Sequence, residues 1–250
     1  MNNSPNLSCY LYLKGIVQAD SFDEEYLESI KKVDKNSVLN HIETLAKFHK
    51  SSMGCFLPQS IIKNKIGRTV LYNRTSLRKL SLYFEKMNKN PRNIFEELLQ
   101  SRGEELIKRA ETSLNHIYLG EYLELIKRSM KRNELCIKNS YFDNIRRNGK
   151  IEILNSDNIC YDMVEIDGLY LFIKLKSKNS DFDYRELIKF FINAENLTKE
   201  SGDFMEALLS YPYYFMKCAI RYIDRKKEWE EEYYKKRLIK SIEKDGESII

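Results

Sequence analysis

The chain has 250 residues, of which 42% are hydrophobic and 32% charged, a balance typical of one globular domain. Its 42 basic and 37 acidic residues give a net charge of +5 and are interleaved, which argues against the basic stripe of a nucleic-acid-binding protein. The five cysteines are widely spaced and form no CxxC pair, which argues against a disulfide scaffold and a cysteine zinc site. We find no signal peptide and no apolar run long enough to span a membrane. These features favour a reduced, cytoplasmic protein.

The first 35 residues predict a short strand and a helix. Residues 8–18 carry bulky, partly β-branched side chains around Gly15, a pattern typical of an edge strand. The stretch from Asp20 to Lys32 begins acidic and ends basic, which matches the dipole of a helix. We expect Lys14, within the strand-like stretch, to be a surface lysine.

Helical spacing dominates from residue 36 onward. Val38, Ile42 and Leu45 recur at helical intervals with His49, which we expect to be a half-buried helix residue rather than a catalyst. A second helix follows over the stretch that contains Leu77 and Leu80. Residues 93–131 then predict a helical pair that turns near Gly120.

The character of the sequence changes at Glu134. Residues 134–163 lack helical spacing, and Asn148-Gly149 between two apolar runs is a hairpin signal. Helical patterns return from Val164. The fold is therefore predicted to be mainly α, with a small β-hairpin insertion near residues 134–163.

The order of these pieces resembles aminoglycoside-phosphotransferase-type kinases. "LAKFHKSSMG" (Leu45–Gly54) resembles the helix end after their inter-lobe linker. "RAETSLNHIYLGEYLELIKRSMKRNELC" (Arg109–Cys136) resembles the helices before their catalytic loop, and "VEIDGLYLFIKL" (Val164–Leu175) the helix beyond their metal-binding turn. "LLSYPYYFMKCAIRYIDRKKEW" (Leu208–Trp229) is similar to the closing helices of one branch, the CotS-type spore-coat proteins, with Tyr-Pro, an aromatic pair and Lys-x-Trp in the expected order.

The resemblance begins near residue 40 and implies a kinase-like C-terminal lobe. Residues 36–250 would form this helical lobe, and residues 1–35 would be a residual linker and edge strand of a largely absent N-terminal lobe. The glycine-rich loop GxGxxG and the motif GxxxxGK[ST], which would hold nucleotide phosphates, do not occur. A truncated reading frame would leave the same pattern.

The stretch "CIKNSYFDNI" (Cys136–Ile145) stands at the position of the catalytic loop. In the family this loop runs His-Gly-Asp, four residues, then Asn, and an Asp-x-Asp follows the hairpin. The resemblance places Ile137 at the histidine, Asn139 at the catalytic aspartate and Asn144 at the metal-binding asparagine. In "ILNSD" it places Asn155 and Asp157 at the two acids.

Two acids would thus be replaced by amides. An amide cannot accept a proton, and a positioned base is worth about 10²–10⁴ in rate. Magnesium sites usually include one or two carboxylates beside the nucleotide phosphates. The resemblance therefore implies no catalytic residue, and only a weak metal site formed by Asn144, Asn155 and Asp157.

Three alternatives stay open at this point. Asp143 or Asp157 could substitute for the missing acids, although Asp143 points away from Asn144 if this stretch is extended. The loop could instead be an ordinary hairpin with asparagine turns. Asp167, which the resemblance makes the structural anchor of the catalytic loop, could be a helix N-cap.

The first hypothesis is a non-catalytic, kinase-like protein similar to CotS-type proteins, which acts by binding in spore coat assembly. It would stay in the mother-cell cytoplasm or enter the spore coat, bind other coat proteins or itself, and need no cofactor. Without a small lobe, Leu11, Leu13 and Ile153 are expected to be exposed and to favour self-association. The alternative is a small-molecule phosphotransferase that uses ATP and magnesium with a displaced acid.

Overall fold

The structure, a computed structural model, describes residues 6–87, 90–178, 181–225 and 229–250. Helices dominate this part of the chain, as predicted. They are α1 (Leu7–Leu13), α2 (Glu24–Ser29), α3 (Lys35–Ser52), α4 (Arg68–Met87), α5 (Ile94–Leu119), α6 (Tyr122–Arg132), α7 (Glu165–Lys176), α8 (Tyr184–Glu195), α9 (Lys199–Ser210), α10 (Tyr213–Ile223) and α11 (Glu231–Asp245). Lys227, of the Lys-x-Trp motif, lies outside the described residues.

In the described part of the chain, six short strands form two small sheets. They are β1 (Ile16–Gln18), β2 (Lys63–Asn64), β3 (Leu135–Cys136), β4 (Ile145–Asn148), β5 (Lys150–Ile153) and β6 (Cys160–Tyr161). One sheet has the order β1-β5-β4 and the other β2-β6-β3. The predicted hairpin is the antiparallel pair β4–β5, whose turn uses Gly149 at a φ of +65°.

The prediction of a strand over residues 8–18 is wrong for most of its length. The side chain of Asn6 accepts a hydrogen bond from the backbone N–H of Cys9 and caps α1, so the bulky residues that follow are helical. Only Ile16–Gln18 forms a strand, at the edge of its sheet and parallel to β5. The predicted helix of residues 20–32 is shorter than expected, because Asp23 caps it at Glu24.

Helix α3 forms part of the core. Val38, Ile42 and Leu45 are fully buried on one face, as the spacing predicted. His49, however, is not half-buried: its side chain is completely enclosed. The turn between α5 and α6 lies at Gly120, where predicted.

Helix α7 is buried along most of its length, at eight of its twelve residues. Gly168 allows its close approach to α8 and α9, because a Cβ atom there would lie 2.8 Å from both Phe191 and Met205. Any larger residue would require the side chains of Phe191 and Met205 to move. Among the helices of the described ranges, none is long and apolar enough to cross a membrane.

The expected exposure of the N-terminal apolar residues is mostly wrong. Leu11 and Ile153 are 3% and 1% exposed, because α1 and β1 cover this side of the hairpin sheet. Leu13 alone of the three is exposed. Self-association stays a prediction, but two of the three apolar residues on which it was based are buried.

Candidate functional site

The kinase-like loop connects β3 to β4 and lies at the surface of the helical core. Asn139 is exposed, whereas Asn144, five residues later, is only 1% exposed. The loop thus presents its first amide to solvent and folds its second amide inward.

The Asn144 side chain holds two turns together. Its Nδ2 donates to the carbonyl oxygen of Asn139 at 2.9 Å and lies 3.4 Å from that of Asn155. Its Oδ1 accepts from the backbone N–H of Asn155 at 2.9 Å. The loop is thereby tied to the segment that follows β5.

The three residues that the resemblance assigned to a weak metal site do lie together. The backbone N–H of Asp157 donates to Oδ1 of Asn155 at 2.7 Å, which forms an asparagine turn. Asn155 and Asp157 are both exposed. The structure thus brings Asn144, Asn155 and Asp157 into one cluster.

This cluster is a poor fit to magnesium. The side-chain oxygens of Asn144 and Asn155 already accept backbone hydrogen bonds, and Asp157 supplies the single carboxylate of the three residues. Magnesium favours a nearly octahedral set of oxygens with carboxylates among them. The amides here serve as turn-forming groups.

Asp143 does not complete the cluster. It is exposed, and its carboxylate lies 3.5 Å from the Lys174 amino group on α7. Its neighbour Asn144 points into the interior instead. The stretch is not extended: it is a turn in which the backbone N–H of Asn144 donates to the carbonyl oxygen of Tyr141 at 3.0 Å. The two side chains nevertheless face different surroundings.

Asp167 is buried in the first turn of α7 and contacts the loop directly. Its two carboxylate oxygens accept the backbone N–H groups of Ile137 and Lys138 at 2.7 and 2.8 Å. Its carbonyl oxygen accepts from the Ser140 hydroxyl at 2.6 Å. The N-cap alternative is wrong, because Val164 occupies the N-cap position of α7.

His49 lies between two buried carboxylates. Its Nε2 is 3.0 Å from Asp167 and its Nδ1 is 2.5 Å from Glu195 on α8. Burial alone would lower the pKa of His49, but the charge of Glu195 and the hydrogen bonds to both carboxylates outweigh it and raise the pKa to about 10. His49 is thus an imidazolium ion at neutral pH and links α3 to α7 and α8.

His49, Asp167 and Cys136 also form a buried group with potential metal ligands within 4.8 Å of one another. Both imidazole nitrogens already contact carboxylates, and the Cys136 thiol donates to the Met163 carbonyl oxygen. Burial and the nearby Asp167 charge raise the pKa of this thiol, so it is protonated. The group therefore stabilises the loop and does not fit a metal.

Lys138 follows Ile137 in the loop and has a left-handed backbone with a φ of +66°. Its amino group pairs with the buried carboxylate of Asp162 and lies 5.4 Å from the centre of the Tyr170 ring. Burial raises the pKa of Asp162, and Lys138 counteracts this rise. This pair was not predicted, since nothing in the spacing of residues 138 and 162 indicates a contact.

Comparison with known proteins identifies the fold of this chain. No family model and no curated protein matches the sequence. The structure is similar to that of an aminoglycoside phosphotransferase from Alicyclobacillus acidocaldarius, with a TM-score of 0.64, 17% sequence identity, and coverage of 84% of this chain and 63% of that one. The fold is kinase-like.

The structural similarity agrees with the predicted fold. It does not test the predicted spore-coat role or the predicted lack of catalysis. The chain is mostly helical with small sheets and matches an aminoglycoside-phosphotransferase-like fold. It spans less than two thirds of the length of that solved structure. Absence of an N-terminal lobe stays a prediction.

Proposed function

We propose that this chain is a non-catalytic, kinase-like protein that acts by binding. The observation that carries the proposal is the chemistry of the loop: amides of Asn139 and Asn155 stand at the two positions where the resemblance requires acids. The amide of Asn139 cannot take a proton from an attacking alcohol.

The hydrogen bonds around the loop support the same proposal. Asn144 uses both its side-chain donor and its acceptor to join the two turns, and Asn155 uses its oxygen to fix the second turn. These contacts give the asparagines a structural role that needs no metal. Asp167, which pairs with His49, accepts two backbone N–H groups of the loop and anchors the loop to α7.

We place this binding role in spore coat assembly, in the mother-cell cytoplasm or in the coat itself. The support is the resemblance of Leu208–Trp229 to the closing helices of CotS-type proteins. Fractionation of spores from the source organism tests the placement. The tagged chain should co-purify with the coat layer, and its exclusive presence in vegetative cells would contradict the placement.

A thermal-shift assay with ATP and magnesium tests the lack of a nucleotide–metal site. A ligand at a hundredfold excess over its Kd would stabilise the fold by about 2.7 kcal/mol, which is readily measured. We expect no stabilisation that requires magnesium. A magnesium-dependent shift in the wild type that disappears in Asn144→Ala would contradict the proposal.

An ATP- and magnesium-dependent phosphotransferase with a displaced acid is the second candidate. One observation favours it: the carboxylate of Asp162 lines the same cavity as Asn139. Against it, that carboxylate is already paired with Lys138. Phosphoryl transfer by the wild type that is abolished in Asp162→Asn, with the fold intact, would establish this candidate.

A further inference from the structure

A cavity of about 480 Å³ opens beside Asn139, between the loop, the beginning of α4 and the beginning of α10. Its charged lining residues are four basic side chains and one acid: Lys65, Arg68, Lys138, Lys217 and Asp162. Four positive charges and one negative charge leave +3 in this single cavity. The whole chain carries only +5, so this cavity is a strongly positive part of the surface.

Among the residues that the structure describes, three of the four basic side chains have no counter-ion. Within the described ranges, no carboxylate lies within 4.0 Å of the charged groups of Lys65, Arg68 or Lys217. Lys65 and Lys217 are also half-buried, which reduces the screening of their charges by water. Each of these charges would attract an anion that enters the cavity.

Helix α4 adds a further positive contribution. It begins at Arg68, and Thr69 in its first turn lines the cavity. The N-terminal end of a helix carries a partial positive charge and unpaired N–H groups, a combination that suits phosphate. Tyr72, whose side chain is half exposed, supplies a flat apolar wall.

A smaller basic cavity lies next to the first and shares Lys217 with it. Its volume is about 150 Å³, too small for a molecule of the size that usually occupies ligand sites. Both cavities contain a cation above an aromatic ring: the Arg237 guanidinium lies 5.2 Å from the centre of the Trp229 ring, and the Lys217 amino group lies 5.2 Å from that of Tyr213. The smaller cavity strengthens the local positive potential, and the larger one provides the space.

We propose that the cavity lined by Lys65, Arg68 and Lys217 binds a small molecule that carries two or more phosphate groups. Clustered cations at a helix N-terminus suit the dense charge of adjacent phosphates. The volume of the cavity suits a small molecule. This binding requires neither magnesium nor phosphoryl transfer, so it goes beyond the proposed non-catalytic function and does not depend on it.

Isothermal titration calorimetry with inorganic tripolyphosphate tests the proposal. The titration is run with EDTA, so that no metal contributes, and at fixed ionic strength. We expect saturable binding that Lys217→Gln and Arg68→Gln each weaken roughly tenfold, the loss typical of a charged hydrogen bond. Lys108→Gln, which removes an exposed charge on α5 outside the cavity, should leave the affinity unchanged.

Four results would overturn the proposal. They are no binding of tripolyphosphate, an equal loss in Lys108→Gln, an equal loss in Arg237→Gln of the smaller cavity, and tighter binding of a hexaglutamate peptide than of tripolyphosphate. The last would assign the surface to an acidic protein segment. This titration contains EDTA, whereas the test of the proposed function measures a shift that requires magnesium, so either test can fail without the other.

Discussion

The imidazole of His49 lies 3.0 Å from the carboxylate of Asp167, and both side chains are completely buried. The same imidazole contacts Glu195 from its other nitrogen. One cation therefore serves two buried carboxylates, on helices α7 and α8. Asp167 in turn accepts two backbone N–H groups of the loop, so this contact connects the helical core to the candidate site.

Replacement of His49 should strongly destabilise the fold. His49→Gln leaves Asp167 and Glu195 buried without a cation, and breaking a buried ion pair typically costs about 3–5 kcal/mol. Urea denaturation followed by circular dichroism measures the change. His116→Gln, at an exposed histidine on α5, is the matched control and should unfold like the wild type. Equal stability of all three proteins would contradict the charged state assigned to His49.

Stability should fall as the pH rises above neutrality. The pKa of His49 is raised from its ordinary value of 6.5 to about 10 in the folded chain, so the folded state binds more protons in this interval. The contribution of protonated His49 to the free energy of unfolding is complete below pH 6.5 and is lost as the pH rises through 10. Free energies of unfolding from pH 6.5 to 10 should therefore decline in the wild type and in His116→Gln. A decline equally steep in His49→Gln would exclude His49 as its cause.

Asp167→Asn should loosen the loop. One oxygen becomes an NH₂ group, so the backbone N–H of either Ile137 or Lys138 loses its acceptor, at a cost of about 1–3 kcal/mol. Hydrogen exchange at these two amides should accelerate by about tenfold or more. Asp183→Asn, at the exposed N-cap of α8, should leave their exchange unchanged. Unchanged exchange in Asp167→Asn would show that the loop is held by other contacts.

Restoration of the two acids should create a metal site. The double variant Asn139→Asp, Asn155→Asp adds a carboxylate beside Asp157 and one at the loop, the ligands that divalent cations favour. Mn²⁺, used as a paramagnetic substitute for magnesium, should bind the variant in an electron paramagnetic resonance titration and should not bind the wild type measurably. Equal binding by the two proteins would show that the amides do not prevent metal binding.

The sequence predicted the elements that depend on local patterns. The buried face of α3 follows from the spacing of Val38, Ile42 and Leu45, and the hairpin follows from Asn148-Gly149. Helix α1 was predicted as a strand because bulky residues suit both structures, and the cap at Asn6 decided between them. Local spacing is a guide to helices and hairpins but not to short bulky segments.

The candidate site was predictable only in part. The resemblance located the loop and Asp167, but the contact of His49 with Glu195 joins residues 146 positions apart and leaves no local pattern. The basic cavity was missed for the same reason. Lys65, Arg68, Lys138 and Lys217 come from three separate regions of the chain, whereas the sequence showed basic and acidic residues in alternation.

Incubation of the purified chain with γ-labelled ATP and magnesium tests the central claim most directly. The measurement is label released as phosphate or transferred to the protein or to a panel of small alcohols and aminoglycosides. We predict the same background for the wild type and for Asp157→Ala, because Asn139 cannot act as a base. Transfer by the wild type that falls in Asp157→Ala would contradict the account.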